Sequence, residues 1–340
     1  MPNPLKIANI WRIIRDVDLE AIRRMAVMPV ELWIVAENEL DGLAVREVLA
    51  PGGDGVETIR VSTPATIDVS TRAPTAAIFV TRSIDLSPSM AGARGSLASH
   101  TVPILTVLVG QTGPVASSPR PGEGARVALT ALDVSAADPV RSTLLALFND
   151  DRRIAVARHL PATRELLFQI LTQETAQANA SFALTTGLAE VVPVLTAPLA
   201  IGDIIILTKN QLLLGYRIVL AAGRNGEPRK LIAEIVGVLG GGLLFRQIAR
   251  EMVGLVPIAG LPLKIAVAYS GTWAIGKAIA LWVTEGRTIT ADALRAMTAE
   301  GLERGRALAN RMLASRSTSG SGPRWQRFRG YLPGDRKTTV

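Results

Sequence analysis

The segment SGTWAIGKAIAL, residues 270–281, has the clearest spacing of residues that could do chemistry. Gly271, Gly276 and Lys277 match the pattern G-x-x-x-x-G-K of a phosphate-binding loop, whose backbone amides and lysine hold nucleotide phosphates. Ala278 stands where that loop needs a hydroxyl for Mg²⁺. Apolar helical sequence flanks the segment on both sides, whereas a phosphate-binding loop lies between a strand and a helix. We therefore predict that the glycines allow close helix contact and that Lys277 is a surface or interface charge.

Composition limits the chemistry of the rest of the chain. The 340 residues include no cysteine, which excludes disulfides and thiolate sites, and only two distant histidines, His100 and His159. Glu37, Glu39 and Asp41 could chelate a hard cation, but Mg²⁺ usually takes ligands from substrate phosphates, which favours a solvated acidic loop. No nucleophile elbow, zinc-binding helix or calcium loop occurs. We expect no catalytic residue, no metal and no cofactor.

A polar cluster interrupts the apolar sequence between residues 191 and 222. It consists of Asp203, Lys209, Asn210 and Gln211. Polar groups at such positions mark functional sites in membranes. Hydrogen bonds between helices that fix their register are the preferred interpretation.

Residues 315–340 form a basic tail. They contain six basic residues and one acidic residue, so they hold more than half of the net charge of +8. Arginines and aromatic residues alternate there, at Arg324, Trp325, Arg327, Phe328, Arg329 and Tyr331. A disordered solubilising end is the preferred interpretation. Contact with anionic lipid comes second and contact with nucleic acid third.

The elements that position these residues fall into two kinds of sequence. Residues 1–28 predict two amphipathic helices, the second capped by Asp18. Within residues 29–150, short apolar runs predict strands at 30–36, 57–62, 75–81, 101–110 and 125–133. Helical stretches at 40–49 and 140–148 lie between some of them. Apolar strands that alternate with helices favour a doubly wound, mostly parallel sheet.

Residues 151–314 predict a helical region. Four blocks are very apolar: 191–207, 211–222, 231–245 and 252–283. A membrane-spanning helix needs about 20 apolar residues. Asp203, Glu234, and the pair Lys264 and Lys277 interrupt three of the blocks. Two interpretations stay open: helices that enter or dip into a membrane with lysines at the headgroups, or helices buried in a bundle.

These blocks also resemble a known family. LTAPLAIGDIIILTKNQLLLGYRIVLAAG, GVLGGGLLFRQIAREMVGLVPIAG and KIAVAYSGTWAIGKAIALWV resemble, over residues 160–285, the C-terminal domain of unknown function of YcjF-like proteins. The resemblance implies a helical, membrane-associated region, which in that family often follows an Era-type GTPase domain. The candidates it offers for membrane contact or helix packing are Pro198, Asp203, Gln211, Gly241, Arg246, Lys264, Gly271, Gly276 and Lys277.

The resemblance directs the search for a GTPase domain to residues 29–150, where the nucleotide motifs are missing. AENELDGLAVRE, residues 36–47, follows the first strand without paired glycines or a Lys-Ser/Thr pair. Asp85 follows the third strand without a glycine three residues later, and VGQTGP stands where the guanine-reading N-K-x-D belongs. We predict a degenerate G-domain-like α/β domain that precedes an apolar helical domain.

Together these patterns predict a non-catalytic, membrane-associated scaffold or adaptor. The opening MPNPLKIANIWRII lacks the pattern of a secretory signal, so we expect the cytoplasmic face of a membrane. Anionic lipid and a protein are the expected partners, self-association is left open, and nucleic acid is the least favoured partner. Two alternatives stay open: a divergent nucleotide hydrolase at the membrane, and a soluble structural or nucleic-acid-associated protein that uses the basic tail.

Overall fold

A five-stranded parallel sheet forms the first half of the chain. The structure is a computed structural model that describes residues 7–67, 73–111, 124–189, 196–238, 260–287 and 289–318. The strands are β1 (Leu32–Ala36), β2 (Ile59–Ser62), β3 (Ala76–Thr81), β4 (Ile104–Val109) and β5 (Ala125–Leu129). Their order is β2-β1-β3-β4-β5, and every neighbouring pair is parallel. This is a common order among doubly wound sheets. The predicted α/β class with helices after it is confirmed.

Helices cover both faces of the sheet, which is why β1 and β3 are buried at every position. Helices α3 (Glu39–Leu49) and α5 (Ala137–Ala146) pack on one face. Helix α4 (Pro88–Ser99) packs on the other face, where Met90 and Leu97 are fully buried against side chains of β1 and β3.

In the described part of the chain, two short helices precede the sheet and six follow α5. They are α1 (Ile7–Ile14), α2 (Leu19–Ala26), α6 (Asp150–His159), α7 (Arg164–Ala189), α8 (Thr196–Ala221), α9 (Pro228–Val238), α10 (Gly260–Glu285) and α11 (Ala291–Thr318). The Asp18 carboxylate accepts from the Ala21 amide at 2.8 Å, so the predicted cap of α2 is present. Thr290 caps α11 in the same way, through the Ala293 amide at 3.2 Å.

The long helices run in alternating directions. Thr172 and Asn179 of α7 lie against Gly276 and Thr272 of α10, so these helices are antiparallel. On the opposite strip of α10, Ser270 and Ala266 lie against Gly301 and Gly305 of α11, which is therefore antiparallel to α10 as well. Helix α8 runs antiparallel to α7, because Asn210 contacts Asn179 while Gly223, just after α8, lies against Arg164 at the start of α7.

This arrangement brings four helix ends together. The last turns of α7 and α11 and the first turns of α8 and α10 lie at one end, which we call the distal end. With 26 residues, α7 is about 39 Å long, so the distal end is far from the start of α7 beside α6. Ala189 and Thr196, which flank the gap at residues 190–195, lie at this end. Gly260, which follows the gap at residues 239–259, lies there too.

The sheet faces the helical half with its amino edge. The Arg152 guanidinium of α6 donates to the Pro29 carbonyl at 3.3 Å and to the Thr75 hydroxyl at 3.1 Å, just before β1 and β3. Gly55, just before β2, lies so close to α6 that a Cβ there would stand 2.3 Å from the His159 carbonyl. One continuous buried cluster runs from the sheet through α6 into α7, α8 and α10. The carboxyl edge of the sheet therefore points away from the helical half.

Candidate interaction surfaces

A buried hydrogen-bond network joins the three helices α7, α8 and α10. The Asn179 amide donates to the Thr272 hydroxyl at 2.7 Å, and the Asn210 amide donates to the Asn179 carbonyl oxygen at 2.7 Å. Gln211 adds a longer hydrogen bond to Thr272, at 3.3 Å. The Thr272 hydroxyl itself donates to the Ala268 carbonyl at 3.0 Å. Asn179 and Thr272 are fully buried, so the network sets the register of the three helices.

The segment with phosphate-loop spacing lies inside α10. Gly271 and Gly276 are buried there, in a helix that continues to Glu285. A Cβ on Gly276 would lie 2.4 Å from the Thr172 hydroxyl, so the absence of a side chain lets α7 approach closely. Lys277 is half-buried and its ammonium lies 5.7 Å from the centre of the Trp273 ring. The described chain is helical from Gly260 to Glu285, so this segment contains no strand-to-helix turn that could point backbone amides at a phosphate.

Two contacts fasten α8 to the N-terminal helices. The Lys209 ammonium lies 2.6 Å from the Asp16 carboxylate, and this hydrogen bond lowers the pKa of Asp16. The Tyr216 hydroxyl donates to the Leu19 carbonyl at 3.2 Å. Burial raises the pKa of Tyr216 to about 12. The residues of the polar cluster in α8 therefore have two roles. Asn210 and Gln211 help to set the register of the helices, and Lys209 attaches the first helices.

An ion pair crosses the carboxyl edge of the sheet between the ends of β1 and β3. The Arg82 guanidinium donates to both carboxylate oxygens of Asp41, at 2.8 and 2.7 Å. This bidentate contact raises the pKa of Arg82. The Asp41 side chain is only 11% exposed, so Asp41 does not belong to the solvated acidic loop predicted from the sequence. Among the described residues, no three acidic or histidine side chains form a group that could hold a metal ion.

Apolar and acidic side chains surround this ion pair. Leu40 is 72% exposed and precedes Asp41, and Ile84 is 64% exposed and follows Arg82 by two residues. Glu37, Glu39 and Asp85, on the same two segments, are exposed. In doubly wound sheets the carboxyl edge where the strand order reverses is the usual site of ligand contact, and here that point lies between β1 and β3. We call this set the sheet-edge surface.

A second exposed apolar pair lies on α8, between its distal start and Lys209. Ile205 is 43% exposed and Ile206 is 39% exposed, in the first half of α8. Arg306 and Arg311 are exposed on the part of α11 that reaches the distal end. In the part of the chain that the structure describes, no helix combines the length and the hydropathy that a membrane crossing requires.

The remaining residues singled out from the sequence lie in three groups. Pro198 and Asp203 lie in the first half of α8, and Lys264 is half-buried in the first turns of α10. Gly241 and Arg246 lie outside the described residues. So do the six candidates of the basic tail, Arg324, Trp325, Arg327, Phe328, Arg329 and Tyr331.

Sequence reasoning missed the partners of the predicted polar residues. Asn179 and Thr272 were not singled out, although an asparagine inside a long helix is a signal in itself, because asparagine has low helix propensity. Arg82 gave no signal, because its partner lies 41 positions away. The sequence also does not indicate that Leu40, Ile84 and Ile205 are exposed.

Comparison of the chain with family models, with curated proteins and with solved structures gave no match.

Proposed function

We propose that this protein is a non-enzymatic adaptor that attaches to an anionic membrane surface by its distal end and binds a protein at its sheet-edge surface. The main support for the proposal is that the two ends of the molecule carry different surfaces. The long helices bring apolar sequence to one end, while the amino edge of the sheet is fastened to the other end of those helices. The carboxyl edge, which carries the exposed Leu40 and Ile84, points away from the long helices.

The composition of the distal end supports membrane attachment. Two of the four very apolar blocks, residues 191–207 and 252–283, include the first turns of α8 and α10 at this end. Ile205 and Ile206 are exposed in the third turn of α8. Arg306 and Arg311 of α11 are exposed, and residues 305–315 contain no acidic residue. A protein that combines exposed apolar and exposed cationic side chains in one half can bind an anionic lipid surface.

The sheet-edge surface supports a protein partner of defined chemistry. Leu40 and Ile84 lie on segments held together by the Asp41–Arg82 pair, so they are presented on a fixed backbone. The exposed acids around them favour a partner segment that combines a basic and an apolar side chain.

The G-domain-like part of the fold expectation stays a prediction, because the observed strand order is shared by doubly wound sheets with unrelated functions. The proposed role needs no nucleotide. In the segment after β1, Asn38 caps α3 by accepting from the Leu40 amide at 2.9 Å, and no phosphate-binding loop is formed.

Flotation with lipid vesicles tests the attachment. The full chain is mixed with phosphatidylcholine vesicles that contain or lack phosphatidylglycerol, together with the double variants I205E/I206E and L40E/I84E. Each variant replaces two exposed apolar side chains by carboxylates, so the second is a matched control for charge. The melting temperature of each variant shows that it is folded.

We expect the wild type and L40E/I84E to float with the anionic vesicles and I205E/I206E to remain in the dense fraction. Flotation of all three would place the lipid contact elsewhere on the chain. Failure of the wild type to float would overturn the membrane half of the proposal.

A further inference from the structure

A cleft of 410 Å³ lies between α7, α10 and α11, away from both surfaces described above. Phe168, Leu281 and Met297 contribute apolar walls, and Trp273 and Lys277 contribute polar groups. A volume of several hundred cubic ångströms with apolar walls and a few polar groups is typical of sites for small molecules.

The strongest indication of a ligand is the Trp273 indole. The side chain is 4% exposed, and its Nε1–H has no hydrogen-bond acceptor among the residues that the structure describes. A buried donor without an acceptor is rare in folded proteins, because it loses its hydrogen bonds to water without replacement. The indole is also held firmly, because the Arg304 guanidinium stacks over its ring at 4.4 Å and Tyr269 stacks beside it at 6.0 Å.

Lys277 places a positive charge one helical turn after Trp273. Its ammonium lies near the indole, 5.7 Å from the ring centre, and forms no ion pair with any described residue. Trp273 and Lys277 both line the cleft, and an N–H without an acceptor and an ammonium without an ion pair are each suited to an anionic oxygen ligand, since charge-assisted hydrogen bonds are the strong ones.

The acidic residues of the cleft lie at its other end. Because α7 and α10 are antiparallel and Thr172 faces Gly276, Glu165 lies about two helical turns from Lys277. Glu285 forms an ion pair with Arg287 at 3.0 Å. These carboxylates therefore leave the end beside Lys277 free for an anion.

We propose that this cleft binds a small amphipathic carboxylate. The Trp273 indole N–H and the Lys277 ammonium hold the carboxylate, and the hydrocarbon body lies along Phe168, Leu281 and Met297. The site is independent of the membrane and protein contacts proposed above.

Displacement of 8-anilinonaphthalene-1-sulfonate from the full chain tests the site. Three competitors share one hydrocarbon body and differ in their head group: octanoate, octanol and octylamine. The variants are W273F, which keeps an aromatic ring and removes the N–H, and K277M, which keeps the aliphatic stem and removes the charge. K230M is the control, because Lys230 is exposed on α9 and remote from the cleft.

We expect octanoate to displace the dye from a single saturable site and to bind more tightly than octanol and octylamine. Removal of a charge-assisted hydrogen bond should weaken octanoate binding about tenfold in K277M and in W273F. K230M should bind as the wild type does. Equal displacement by the three competitors, tighter binding of octylamine, or unchanged octanoate affinity in both cleft variants would overturn the proposal. Melting temperatures separate loss of binding from loss of folding.

Discussion

At the residue scale, the buried polar side chains of this protein act mainly as links between elements. Asn179 shows this best, because it is fully buried and uses its amide nitrogen toward α10 and its carbonyl oxygen toward α8. A satisfied network of this kind fixes one register, whereas a network with a missing member leaves buried groups unpaired.

Substitution of Asn179 by alanine should therefore lower the free energy of unfolding by about 2–3 kcal/mol, because Asn210 and Thr272 both lose a partner. Urea denaturation measures this change. Asn310→Ala on the exposed face of α11 is the matched control and should change stability by less than about 0.5 kcal/mol. A similar small change for Asn179→Ala would show that the network does not hold the helices.

Tyr216 makes stability depend on alkaline pH. Its pKa in the folded protein is about 12, against 10.0 for the free side chain, because burial disfavours the phenolate. Its contribution to stability is complete below pH 10 and is lost as the pH rises from 10 toward 12, since only the unfolded chain ionises readily there.

Denaturation of the wild type and of Tyr216→Phe at several pH values measures this contribution. The difference between the two free energies of unfolding should change between pH 10 and 12 and stay constant from pH 7 to 9. A difference that is constant across the whole range would contradict the assignment.

At the element scale, helix packing depends on glycines at which a neighbouring helix approaches closely. Gly276→Ala would bring a Cβ within 2.4 Å of the Thr172 hydroxyl and 2.9 Å of its Cβ, so α7 and α10 must separate. We expect destabilisation of about 1–3 kcal/mol in thermal or urea unfolding.

Gly95→Ala is the control for this substitution, because a Cβ at that position of α4 meets no atom within 4 Å. The exposed helical alanine should instead stabilise the protein by about 0.5–1 kcal/mol. If the two substitutions had the same sign, helix propensity rather than close packing would explain the effect at position 276.

The sequence predicted the elements whose pattern is local. The five strands follow from short apolar runs bounded by turns, and Asp18 indicates a helix start by its type and position. Helix α4 was not predicted, because PSMAGARGSLAS has few apolar residues and no clear period. It forms where Ser87 caps it, Pro88 fits its first turn, and Met90 and Leu97 fill the free face of the sheet.

Sequence patterns could not predict which residues meet when two elements that are distant in the chain pack together. The Asp41–Arg82 pair joins two turns at the sheet edge, and Asn179 meets Thr272 across 93 positions. The role of Lys277 as a surface or interface charge stays a prediction, and no sequence pattern indicated that its side chain lines a cleft beside Trp273. No local pattern distinguishes these cases, because they arise from how whole helices and strands dock.

At the scale of the whole molecule, the fold separates two surfaces. The amino edge of the sheet is joined to α6 and the buried cluster continues into the long helices, so the α/β domain and the near ends of those helices share one core. The distal end and the sheet-edge surface lie on opposite sides of that core. An adaptor between a membrane and a protein requires this separation.

A single environment-sensitive label tests which end meets the membrane. Because the chain has no cysteine, Ile205→Cys and Leu40→Cys each create one unique thiol for a nitrobenzoxadiazole dye. Both positions are exposed, so labelling does not disturb the core. On addition of anionic vesicles, the dye at position 205 should brighten and shift to the blue as it enters the lipid, while the dye at position 40 should not change. A response at position 40, or no response at position 205, would contradict the proposed orientation.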